Sequence, residues 1–144
     1  MEITNRVFLS TGIALVDKQH DEYFRRLGLL MDKIRDPELK VENLRGSFDY
    51  FRCFALEHFD TEELLMRSTA YQDIEEHARM HDYFRENIER LSDEMEAGEN
   101  IVRIANELKI FLSGWLEDHI KSTDLQMAEY LKGRISGETG KSIT

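Results

Sequence analysis

The residues with chemical potential come in pairs. Glu62 follows His58 by four residues and His81 follows His77 by four, with fourteen residues between the pairs. Imidazole nitrogens and carboxylate oxygens are ligands of first-row metal ions. A four-residue step on an α-helix returns to within about 40° of its starting direction, so each pair projects from one face. Alternating steps of four and three through the first pair give Leu44, Phe48, Phe51, Ala55, His58, Glu62 and Leu65. The second pair extends through Ile74, His77, His81, Phe84, Ile88, Leu91 and Met95. Both rows read as the core-facing seam of an amphipathic helix. Metal-ligand residue types thus stand where apolar residues are expected.

The remaining histidines behave alike. His20 opens a seam with Phe24, Leu27, Met31 and Ile34, and His119 closes one with Ile101, Ala105, Leu108, Leu112 and Trp115. A lone histidine on such a seam is ordinarily a hydrogen-bonded core residue, and HxxxE or HxxxH alone arises readily by chance. Here all five histidines continue hydrophobic seams. Left unpaired in one core, such groups would cost about 1–3 kcal/mol each; a metal centre removes that cost. Asp124 follows His119 by five residues, about 140° round a regular helix, so it needs a bend to point inward. Thr123-Asp-Leu-Gln126 reads as a capping box that ends one helix near Lys121 and starts another at Asp124, turning the carboxylate back. The alternative is an exposed first-turn aspartate favoured by the helix dipole. Five imidazoles and two carboxylates are too many for one tetrahedral zinc and suit two first-row metals bridged by carboxylates. Iron, as Fe2+ or Fe3+ with an oxo or hydroxo bridge, keeps the buried charge small while the imidazoles stay neutral.

The elements that must position these groups are helices. The chain has 144 residues, 41% hydrophobic and 33% charged, with one proline, which predicts a single all-α domain with a sizeable core. A net charge of −10 argues against nucleic acid or an anionic membrane surface as partner. Cys53 is the only cysteine, so an intramolecular disulfide and metal sites built from four cysteines are excluded. The first twenty residues lack the basic start and apolar run of a signal peptide, and no stretch approaches the length of a membrane span; a soluble cytoplasmic protein is expected. Residues 1–16 read as an ordered arm packed on the bundle, 17–133 as the bundle, and 134–144 as a frayed tail. The first helix is expected from Asp17, as N-cap, to about Arg35, where Pro37 biases Asp36 away from helix. The second spans about Val41 to Met66 and the third about Gln72 to Ala97, ended by Gly98. The fourth opens near Glu99 or Asn100, and a short C-terminal helix follows from Asp124 to about Lys132. Short connections between four long helices predict an antiparallel up-down-up-down four-helix bundle.

The order His20, His58-xxx-Glu62, His77-xxx-His81, His119-xxxx-Asp124 resembles the hemerythrin family over nearly the whole chain. Asp17-Lys-Gln-His20, Glu62-Glu-Leu-Leu-Met66 and Trp115-Leu-Glu-Asp-His119-Ile120 resemble its bacterial branch, the bacteriohemerythrins. The resemblance implies a non-haem di-iron site that binds O2 reversibly. By position, His77, His81 and His119 would hold the coordinatively filled iron, His20 and His58 the iron with an open position, and Glu62 and Asp124 would bridge them. Phe59, Trp115, Leu116 and Ile120 match the family's pocket positions; ordinary core packing is the alternative for Phe59 and Trp115. Three departures stand out, the first being Asn5 in the register, fifteen residues before the first histidine, where the bacterial branch usually carries a tryptophan. The family's Gly-Tyr-Pro turn is Ala70-Tyr71-Gln72, and Tyr23 stands three residues after His20 where an aliphatic residue is usual. Tyr23 either lines the open iron, donating a hydrogen bond to bound oxygen or being oxidised by it, or caps the core with its hydroxyl in water. The leading expectation is an O2 carrier, store or sensor with no catalytic residues. The same ligands would also serve an enzyme acting on peroxide, nitric oxide or ferrous iron, or an iron-storage or metal-responsive module.

Overall fold

The computed structural model describes residues 10–133. The expected packed arm before Ser10 and the expected frayed tail from 134 onward lie outside the described residues. Four long helices follow one another: α1 (Ala14–Ile34), α2 (Val41–Ser68), α3 (Ile74–Glu96) and α4 (Ile101–His119). Each packs on its predecessor and α4 packs back on α1, closing the bundle. A short π-helical turn, Ile120–Asp124, leads from α4 into a terminal helix, α5, at residues 125–133.

The start of α1 differs from expectation. The helix begins at Ala14, and Asp17 is not its N-cap. Its carboxylate reaches back to the incoming chain, accepting from Ser10 Oγ at 2.9 Å, Thr11 N–H and Oγ1 at 2.7 Å each, and Gly12 N–H at 3.1 Å. Gly12 has the left-handed φ of +77° that this reversal needs. Asp17→Ala should cost about 1–2 kcal/mol of stability, a typical loss for charge-assisted capping bonds, read from urea unfolding. Burial raises the Asp17 carboxyl, but the bonds from Thr11, Ser10 and Gly12 outweigh it and hold its pKa below the ordinary 3.8. The stabilisation is therefore present above pH 3.8 and lost as pH falls through the lower folded value. Wild type and variant should converge in strong acid.

The other ends follow local chemistry. At Lys40, entering α2, the amide donates to Asn43 Oδ1 at 2.9 Å. Beyond α2 the chain turns through Ala70 at φ +55°, with Tyr71 N–H donating to Met66 O and Ala70 N–H to Arg67 O, a Schellman arrangement without the usual glycine. After α3, Gly98 takes the left-handed position at φ +86° with the same bond pattern. Asn100 caps α4, accepting from Arg103 N–H at 3.0 Å.

Two apolar clusters flank the buried polar residues. The larger contains Phe48, Phe51, Phe84, Leu108 and Leu112; the smaller joins Met66 and Tyr71 to Met127 and Leu131 of α5. Tyr130 donates to Thr69 O at 2.6 Å, holding α5 to the end of α2. On α2 the sequence runs from Ala55 in the first cluster through His58 and Glu62 to Met66 in the second. Among the described residues, no helix is long and apolar enough to cross a membrane.

Candidate metal centre

His20 comes from α1, His58 and Glu62 from α2, His77 and His81 from α3, His119 from α4 and Asp124 from the π turn. None is more than 4% exposed. Their ligand atoms fall into two sets, each lying within 4.8 Å: Glu62, His77, His81, His119 and Asp124; and His20, His58, Glu62 and Asp124. The histidines divide three and two, and the carboxylates belong to both sets. Asp124 turns Oδ1 to Nε2 of His77 and His119, at 2.9 and 3.0 Å, and Oδ2 to Nε2 of His20 at 3.1 Å. Glu62 Oε1 lies 3.1 Å from His81 Nε2 and 3.3 Å from His58 Nε2.

The π turn corrects the expected capping box. The helix does not end near Lys121, and Thr123 does not cap a new one. Leu125 N–H donates to Ile120 O, five residues back, so a five-residue step here returns to the same face. That brings Asp124 into line with His119, which a regular helix would not. Thr123 Oγ1 donates to His119 O. Its one proton is thereby used, so it accepts from His119 Nδ1–H at 2.9 Å. This fixes the tautomer that turns the Nε2 lone pair toward Asp124.

Two further histidines are oriented from behind by residues the sequence reading passed over. His58 Nδ1 donates to Gln19 Oε1 at 2.6 Å, and His81 Nδ1 to Glu63 Oε2 at 2.9 Å. Such partners set ring orientation and leave Nε2 free as a ligand. Adjacency to His20 and Glu62 was the available signal.

The donor set fits metal better than a hydrogen-bonded core. His20 Nδ1, His77 Nδ1, Glu62 Oε2 and Asp124 Oδ1 are buried without a hydrogen-bond partner; Asp124 Oδ1 is near two imidazoles but in line with neither N–H direction. Nitrogens converge on nitrogens, with 3.1 Å between Nε2 of His20 and His58 and between those of His77 and His119. Two imidazole nitrogens bound to one ion at the ~2.0–2.1 Å of metal–imidazole bonds lie about 3 Å apart, close to the spacing of these pairs. Charge also calls for a cation. Burial raises both carboxyls, and Glu62 raises Asp124 further. The imidazoles outweigh this, His58 foremost for Glu62 and His119 for Asp124, and hold both well below the carboxylate range. In return, His77, lowered by burial but raised more by Asp124 and Glu62, reaches about 9.

The sequence model of the hemerythrin HHE cation binding domain matches residues 11–131. The chain belongs to the hemerythrin family. It is 31% identical to the bacteriohemerythrin of Pseudomonas paraeruginosa over 130 residues, covering 89% of this chain and 80% of that one. The Aquifex aeolicus bacteriohemerythrin is 28% identical over 120 residues, 83% of this chain and 90% of its own. A myohemerythrin of Theromyzon tessulatum shares 31% over 70 residues, 49% and 51% of the two chains. Hemerythrins are oxygen-binding proteins rather than enzymes, and this chain falls in the bacteriohemerythrin branch.

In this hemerythrin, the aromatic pocket candidates lie against individual imidazoles. Phe59 stacks on His81 with centroids 4.0 Å apart, and half-buried Trp115 stacks on His119 at 4.5 Å. Both rest on the three-histidine set. Phe54, which the sequence reading did not single out, stacks on His58 at 4.8 Å; its position four residues before His58 was the available signal. Leu116 and Ile120 are fully buried in the larger cluster. Tyr23 is also fully buried, and its hydroxyl donates to Leu112 O at 2.8 Å. The expected alternative of a hydroxyl in water is thus incorrect: the polar end of the side chain has found a main-chain acceptor on α4.

Proposed function

We propose that this hemerythrin binds O2, or a similar small diatomic or anion, reversibly at a carboxylate-bridged di-iron centre. Transport, storage and sensing all draw on that step. The observation that carries the reading is the unequal division of histidines between two sets joined by Glu62 and Asp124. His77, His81 and His119 would hold one iron and His20 and His58 the other, leaving a position there that no side chain fills. Iron supplies the electrons that make O2 a ligand at such a position. The protein supplies orientation and dryness. Gln19, Glu63 and Thr123 aim three imidazoles. Leu116, Ile120, Phe59 and Tyr23, all fully buried, exclude water.

Tyr23 serves this reading as a wall. With its proton committed to Leu112 O, it has none to offer a ligand. Tyr23→Phe should retain iron and leave the lifetime of the oxygenated protein unchanged, while costing about 1 kcal/mol of stability for the lost bond. Stopped-flow decay and thermal melting measure the two effects. The function itself is tested by iron analysis and by visible spectra of the reduced protein through cycles of O2 and argon. Two irons per chain and a spectral change that argon reverses are expected. One zinc without iron, or turnover of peroxide or nitric oxide with no reversible species, would overturn the proposal.

A further inference from the structure

The buried centre needs a way in for its metal. At the start of α3, a polar well of about 290 Å³ is lined by Asp73, Glu76, His77, Thr123 and Gln126, with Tyr71 and Met80 at its sides. Acidic residues in a first helical turn are ordinarily placed for the helix dipole. The floor distinguishes this one. His77 is 2% exposed, lines the well, and its Nδ1 has no partner. Its Nε2 lies 2.9 Å from Asp124 Oδ1, inside the centre. One buried ring therefore borders both the well and the metal-ligand cluster. Among the described residues, neither Asp73 nor Glu76 forms an ion pair with a basic side chain, so their charges act on the well unneutralised. The Tyr71 phenol reports that field: burial raises it first, and the charges of Asp73, Asp124 and Glu76 raise it further. A neighbouring depression, which reaches His119 past Met80, Tyr83 and Trp115, shares Glu76 and adds Asp118, but sets Arg79 and aromatic walls beside them. It offers a cation fewer oxygen donors and a competing positive charge.

We propose that the well lined by Asp73, Glu76, Gln126 and the buried edge of His77 is the port through which ferrous iron reaches the centre. The inference rests on the di-iron reading above. The mouth attracts and partly dehydrates a hard divalent cation with carboxylate and amide oxygens. Asp124 and His77 receive it.

The test is anaerobic uptake of Fe2+ by the metal-stripped full-length chain, followed by quenching of Trp115, the only tryptophan, which stacks on His119. Asp73→Asn with Glu76→Gln should slow uptake about 10-fold, the scale of local electrostatic steering, and flatten its ionic-strength dependence. The final iron content should not change. Asp73 makes no side-chain cap bond, so α3 should lose no hydrogen bond and only the modest charge–dipole contribution of the two acids. A control of equal charge, Glu38→Gln with Glu86→Gln, should match wild type, and Gln126→Glu should accelerate uptake. Rates within twofold of the control pair would overturn the port. So would a loss of final iron in the Asp73 and Glu76 variant, which would place those residues in the site itself. If the wild-type chain takes up no iron, the di-iron reading fails instead.

Discussion

Replacing His119 with alanine is expected to empty the centre of iron and lower stability by about 3–5 kcal/mol, the scale for removing one partner from a buried charged cluster. The loss exceeds that of an ordinary core histidine because several groups depend on this ring. His119 Nε2 lies 3.0 Å from Asp124 Oδ1, its Nδ1 donates to Thr123, and its face carries Trp115. Its removal takes one of three imidazoles from the richer set and takes from Asp124 the charge that most lowers its carboxyl. His77→Ala should behave likewise. Metal removal from wild type provides the comparison, since binding to a site absent from the unfolded chain is itself folding free energy. Iron analysis with chemical denaturation measures both quantities; a His119→Ala protein with full iron would refute the ligand assignment. Without metal, a proton on His77 must balance the buried carboxylates. The His77 folded pKa of about 9 is above its ordinary 6.5. That contribution is fully present below pH 6.5 and lost as pH rises through about 9. Metal-free protein should therefore weaken toward alkaline pH.

Leu116→Ala should separate oxygen retention from metal retention. Leu116 is fully buried in the larger cluster and makes none of the ring-orienting hydrogen bonds. Truncation should cost about 2–4 kcal/mol through lost burial and the residual cavity, with iron content unchanged. The same cavity admits water and anions to the centre, so the oxygenated protein should decay about 10-fold faster. Leu116→Met, which conserves volume, should stay near wild type in both respects. Stopped-flow absorbance after mixing reduced protein with O2 gives the lifetimes. Equal lifetimes for the alanine variant and wild type would remove Leu116 from the barrier that protects bound oxygen.

Counting along the chain was enough to lay out the helices, their inward faces and the family. A side chain's direction about its own helix depends on local periodicity, so the rows through His58, His81 and His119 could be drawn without coordinates. Five histidines on apolar rows then pointed to a shared centre, because scattered unpaired imidazoles would be costly. Whatever depends on the phase and height of one helix against another came from the folded molecule alone. Tyr23 and Leu112 are 89 residues apart, and no count along either helix places a hydroxyl beside that carbonyl. Gln19 and Glu63 are oriented toward His58 and His81 by packing of α1 on α2 and α2 on α3. Asp124 shows the limit most clearly. Its five-residue spacing from His119 is out of register on a regular helix, and a capping box was the local remedy. The chain instead widens one turn to five residues. That costs α-helical geometry locally and is sustained by packing of α5 across the bundle end and by the inward role of the carboxylate, neither of which local periodicity contains.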